Sequence, residues 1–97
     1  MLMSPTREQN RYCCKPTEVI VFIEQQRSEI TGTLVEVSRS GMKIRLRQAL
    51  LTGTPVCIIL PKCRAGASVR YCKPSEREFF DIGVAVLNYE RSQAVEP

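Results

Sequence analysis

The sequence predicts an all-β domain, a small six-stranded antiparallel β-barrel. Six short segments rich in β-branched and other apolar residues divide the chain, and clusters of Gly, Pro and Ser separate them. No segment has the periodicity of an amphipathic helix. The chain of 97 residues has the length of one domain. Closure into a barrel removes the free strand edges that a small sheet otherwise exposes to aggregation.

The first half of the chain contains a leader and three predicted strands. Residues 1–17 are predicted to form a flexible N-terminal arm outside the core, because they are largely polar and include two prolines. The strands are predicted at residues 19–23, 30–37 and 42–47. In the third strand apolar and basic residues alternate, which is typical of a half-buried strand. The side chains expected to face the core are Met42, Ile44 and Leu46, and those expected to face water are Lys43, Arg45 and Arg47.

The second half contains three further predicted strands and a tail. The strands are predicted at residues 55–60, 67–72 and 79–87. In the first of them Val56, Ile58 and Leu60 share a face, and Pro61 ends it because proline cannot donate to a sheet ladder. The barrel domain is therefore expected over residues 18–88. A short C-terminal tail is expected over residues 89–97.

Composition narrows the classes of function. The net charge is +4, which suits an anionic partner without identifying one. The sequence has no apolar run long enough to span a membrane and no signal-peptide pattern, so we expect a cytoplasmic protein with no membrane insertion. Five cysteines, an odd number, are expected to be reduced structural thiols. The chain has no histidine, so we expect no metal site, no cofactor, no catalytic residue and no enzymatic activity.

Two short motifs carry the functional prediction. Arg7 and Arg11 are four residues apart on the predicted arm, and Glu36, Ser38 and Gly41 form an ExSxxG turn after the second strand. Each motif alone has a plain alternative: a solvated arginine pair, and a strand-ending turn in which Gly41 supplies a positive φ. Their order, followed by a closing Asp-Ile-Gly-Val segment at residues 81–84, resembles the PilZ domain family over about residues 7–87.

The resemblance implies a PilZ-like split, Greek-key barrel that binds cyclic di-GMP. Arg7 and Arg11 are implied to bind phosphate and guanine, for which arginine forks are well matched. Ser38 and Gly41 fit the turn motif, where the hydroxyl donates to a phosphate and the glycine permits close approach. Glu36 departs from the Asp or Asn of the family, yet its carboxylate still accepts from the guanine N1–H and N2–H₂ groups.

Two secondary candidates have alternatives that the sequence leaves open. Arg39 lies inside the turn motif and is either a phosphate contact or a solvated surface residue. Tyr71 either stacks on a guanine or, by alternation with Val69, is a core ring.

The resemblance also implies how ligand binding is transmitted to a partner protein. Ordering of the arm over the ligand would alter the surface that a separate downstream bacterial protein contacts, in motility, exopolysaccharide or biofilm control. Two other binding functions remain open: a PilZ-like interaction adaptor with weak or no nucleotide binding, and a small basic barrel that binds single-stranded nucleic acid. Six aromatic residues and no tryptophan make a base-stacking platform for nucleic acid hard to assemble, so no nucleic acid is expected.

Overall fold

The computed structural model describes residues 11–91, with the side chains of residues 15–90. Six strands close into a barrel in the order β1-β2-β3-β6-β5-β4, and every neighbouring pair is antiparallel. The strands are β1 Arg11–Ile23, β2 Ser28–Ser38, β3 Gly41–Leu46, β4 Pro55–Ile59, β5 Cys63–Pro74 and β6 Phe80–Arg91. The predicted all-β, six-stranded barrel is confirmed. Within this part of the chain no helix has the length and hydropathy needed to cross a membrane.

The strands extend further than the sequence predicts, most of all at β1 and β6. β1 begins at Arg11, inside the predicted arm, and β6 ends at Arg91, inside the predicted tail. Among the described side chains at these ends, those of Glu18, Asn88 and Glu90 are exposed, while their backbones pair with neighbouring strands. Such residues lack the apolar alternation that marks a half-buried strand. Pro16 falls where the β1–β2 register shifts, between Cys13 and Thr17, and a proline is tolerated at such an irregularity.

The core lies inside the barrel and is formed by alternate side chains of the strands. The predicted inward residues Met42, Ile44 and Leu46 are buried, as are Val56 and Ile58. All the buried side chains among the described residues are apolar. They are Val19, Val21, Ile23, Leu34, Met42, Ile44, Leu46, Leu50, Val56, Ile58, Ala65, Ala67, Val69, Ile82 and Val84.

Two irregularities in the ladders decide which side chains reach the outer wall. Between β2 and β3 the register shifts between Leu34 and Glu36, so that Leu34 pairs with Ile44 while Glu36 pairs with Lys43. A second shift lies in the β5–β6 ladder between Val69 and Tyr71. Bulges of this kind bend a strand and turn the following side chain to a different face.

Candidate functional site

A depression of about 380 Å³ lies on the outer wall of the barrel, across β2, β3, β6 and β5. We call it the groove. Its lining includes the three residues of the turn motif, one residue of β3 and two residues of β5, and Gly83 of β6 also belongs to it. These are Glu36, Ser38, Gly41, Lys43, Arg70 and Tyr71.

Ser38 holds the turn between β2 and β3. Its Oγ accepts a hydrogen bond from the Gly41 N–H at 3.1 Å and donates to the Gly41 carbonyl oxygen at 3.3 Å. The Ser40 carbonyl in the same turn accepts from the Val86 N–H at 2.9 Å and so ties the turn to β6. Donation at 3.3 Å is long for a hydroxyl, whose usual length is about 2.7–2.8 Å. The hydroxyl hydrogen can therefore turn to a ligand while the N–H bond keeps the turn in place.

Gly41 is required for a different reason from the one its place in a turn suggests. It does not adopt a positive φ; among the described residues that conformation occurs at Gly53, Arg27 and Arg77. A Cβ at position 41 would instead collide with the carbonyl oxygen of Val84 on β6. The glycine thus permits the close approach of two backbones at the rim of the groove.

Glu36 and Lys43 face each other across the β2–β3 ladder. Their Oε2 and Nζ atoms are 3.5 Å apart, and the two side chains are 24% and 26% exposed. Lys43 is thus half-buried beside a carboxylate, where the alternation predicts a lysine in water. Any group that approaches the Glu36 carboxylate meets this ammonium group as well.

The two predicted arginines of the arm differ in how far the structure describes them. Arg11 is the first residue of β1, and its backbone pairs with that of Ser38. The chain therefore enters the barrel directly beside the turn motif. Arg7 lies outside the described residues, as does the rest of the predicted arm before Arg11, and so does the side chain of Arg11.

Of the secondary candidates, one lines the groove and the other does not. Tyr71 is exposed by 36% and belongs to the groove wall, so it is not the core ring that alternation allows. Arg39 is exposed at the tip of the turn and is not among the lining residues. Arg70, which belongs to neither motif, is exposed and lines the groove beside Tyr71. No sequence signal marks it, because a regular strand would place neighbouring residues on opposite faces.

Asp81, in the closing Asp-Ile-Gly-Val segment, holds another strand in place. Its Oδ1 accepts from the Arg45 Nε at 2.9 Å, across the β3–β6 ladder. This hydrogen bond raises the pKa of Arg45 above its ordinary value. The carboxylate therefore links β3 to β6, and neither residue lines the groove.

Comparison with known proteins identifies one family. The model of the PilZ domain matches residues 5–96, nearly the whole chain. Among the curated proteins no sequence matches.

Proposed function

The chain belongs to the PilZ domain family, and from this premise we propose that it is a receptor for cyclic di-GMP. The family is known for binding this dinucleotide, and its domains act by binding and not as enzymes. One observation supports the proposal above the others. The backbone of Arg11 pairs with that of Ser38 at the edge of the groove, so the two motifs that are far apart in the sequence meet at one place.

The proposed site holds the ligand from two sides. Arg7 from the arm and Arg11 from the start of β1 bind phosphate and guanine, since guanidinium forks match both groups. The two arginines are four positions apart, a span of up to about 14 Å in extended chain, which is enough to cross the ligand. On the barrel side Ser38 donates its hydroxyl hydrogen to a phosphate. Glu36 accepts from the guanine edge while Lys43 stays close to its carboxylate.

The signal in this proposal is the closure of the arm over the bound ligand. Residues 1–10 would then cover the groove and change the surface around the β2–β3 turn. A separate partner protein reads that change, in motility, exopolysaccharide or biofilm control. Ligand binding and release break no covalent bond, so the proposed site binds its ligand and does not catalyse a reaction.

The test is an isothermal titration with cyclic di-GMP, with GTP, cyclic di-AMP and a short oligonucleotide as control ligands. Arg11→Ala is expected to weaken binding by about tenfold or more, because a charge-assisted hydrogen bond is lost. Arg64→Ala is the matched control: it removes the same charge from an exposed residue of β5 that lies outside the groove lining and in neither motif. Equal losses in the two variants would mean that net charge, and not the proposed site, drives binding.

A second candidate function is a PilZ-like interaction adaptor that binds little or no nucleotide. It is favoured by the polar groups of the turn, which already have partners within the barrel: Ser38 with Gly41, and Glu36 with Lys43. The same titration separates the two functions. Wild-type protein that is folded and gives no heat with cyclic di-GMP supports the adaptor and contradicts the receptor.

A further inference from the structure

The β5–β6 ladder places two consecutive β5 side chains on the wall of the groove. Val69 pairs with Val84 and Tyr71 pairs with Gly83, so two steps along β5 correspond to one step along β6. Arg70 is the extra residue of this bulge. Val69 is buried at 1% exposure, whereas Arg70 and Tyr71 both line the groove. In a regular strand one of these two side chains would point into the core.

The Tyr71 ring packs directly against Gly83. A Cβ at position 83 would collide with three carbon atoms of that ring, so the ring lies directly against the glycine. Glycine here leaves room on the outer face of β6 for the aromatic ring to lie close to the sheet. The 36% exposure of Tyr71 leaves part of this ring accessible in the groove.

We propose that Arg70 and Tyr71 form the barrel-side wall that binds one nucleotide of the ligand, with Gly83 as the residue that positions the ring. Tyr71 stacks on a guanine base, and the guanidinium of Arg70 contacts the adjoining phosphate. This inference rests on the proposed function, because it assigns a second set of contacts to the same groove. It adds a binding arginine that belongs neither to the arm nor to the turn motif.

Lys73 already lies near the Tyr71 ring, with its Nζ 5.1 Å from the ring centroid. A cation–π contact at an exposed site is a weak interaction. Stacking of a base on an aromatic side chain is stronger. A guanine therefore displaces the exposed lysine from the ring, and the displaced ammonium group stays close to the ligand phosphates.

The first part of the test measures the affinity of the full-length chain for cyclic di-GMP. Tyr71→Ala is expected to weaken binding about tenfold, whereas Tyr71→Phe, which keeps the ring face, stays within about twofold of wild type. Arg70→Ala is expected to weaken binding about tenfold through loss of a charge-assisted hydrogen bond. Arg64→Ala is the matched control, an exposed arginine on the same strand outside the groove lining, and is expected to bind normally.

The second part separates the positioning role of Gly83 from a general effect on folding. Gly83→Ala is expected to lower both the affinity and the melting temperature, since its new methyl group displaces the ring. In a Tyr71→Ala background the same change meets no ring. The double variant is therefore expected to bind no more weakly than Tyr71→Ala and to melt no lower.

The outcomes distinguish this inference from the proposed function. Wild-type protein that binds no cyclic di-GMP overturns both. If Tyr71→Ala and Arg70→Ala bind normally while Arg11→Ala loses binding, the proposed role of Arg70 and Tyr71 is wrong and the proposed function stands. If Gly83→Ala weakens binding equally with and without the tyrosine, the glycine acts through the fold and its positioning role is wrong.

Discussion

The groove and the wall opposite it are built on the same core, yet their outer faces differ in character. The groove centres on the β3–β6 seam, and its outward side chains include Glu36, Lys43 and Arg70. The opposite wall is the β1–β4 seam, which closes the barrel on the other side. Its outward residues are apolar and half-buried, and they pair directly across the strands: Ile20 with Ile59, and Phe22 with Cys57.

The β3–β6 and β1–β4 ladders both run without a shift, and the difference goes with the ladders that flank the groove. The β1–β4 ladder runs without a shift, so each outward apolar residue meets another across the strands and covers it. The groove is flanked by two shifts, at Leu34/Glu36 and at Val69/Tyr71. Bulges bend the sheet and leave side chains without a directly opposed neighbour. The regular wall is thus suited to structure, and the irregular wall to binding.

The largest expected change in the free energy of unfolding tests whether the barrel core, and not the outer walls, provides most of the stability. Ile58, inside β4, is 0% exposed. Ile58→Ala is expected to lower the free energy of unfolding by about 2–5 kcal/mol, through lost burial and the cavity left behind. Urea unfolding followed by circular dichroism measures this loss. Lys43→Ala on the groove wall is the comparison, with a loss of about 1 kcal/mol or less; equal losses would contradict the division between core and wall.

The next effect compares a glycine beside the groove with one beside the regular wall. Gly41→Ala places a methyl group against the Val84 carbonyl oxygen, part of a backbone that cannot yield, and is expected to cost about 1–3 kcal/mol. Gly66 pairs with Cys57, and a Cβ there lies 3.1 Å from Asn88 Oδ1, on an exposed side chain free to move.

Gly66→Ala is therefore the matched control for Gly41→Ala. It is expected to be neutral or to stabilise the strand by up to about 1 kcal/mol, since alanine restricts the unfolded chain more than glycine does. Parallel urea titrations of the two variants measure both effects. A Gly41→Ala protein as stable as the Gly66→Ala protein would show that close approach of the backbones is not what requires glycine at the turn.

The smallest effect concerns the thiol on the regular wall. Burial raises the pKa of Cys57 above its ordinary value. The thiolate is the reactive form, so alkylation of Cys57 by iodoacetamide at pH 8 is expected to be slower in the folded protein than in the unfolded chain. Peptide mass spectrometry of timed samples measures the two rates. Equal rates would mean that the apolar wall does not desolvate this thiol.

The raised pKa of Cys57 also sets the direction of a small pH dependence of the protein's stability. The folded state holds the Cys57 proton to a higher pH than the unfolded chain does. The stability due to this thiol is therefore complete below its unfolded pKa and falls as the pH rises through the folded pKa. Cys57→Ser is expected to remove this part of the decline at alkaline pH.

The six strands could be predicted from the sequence because their central residues alternate between core and solvent. Met42, Ile44 and Leu46 show this most clearly, and all three are buried. The ends of β1 and β6 could not be predicted, because their backbone pairing needs no apolar side chain. The turn motif was recognisable from residue types and spacing. That its serine lies beside Arg11 was an expectation of the family resemblance, and the β1–β2 register agrees with it at the level of the backbone.

The sequence by itself therefore determined the class of fold, the family and the residues of the turn, since each depends on local pattern. The tertiary structure alone decided that Arg70 and Tyr71 share one face, that Glu36 stands against Lys43, and that Gly41 admits a neighbouring backbone. These three features depend on the register between strands distant in the sequence. A shift of one residue in a ladder reverses the face of every later side chain, and nothing within a single strand records where that shift occurs.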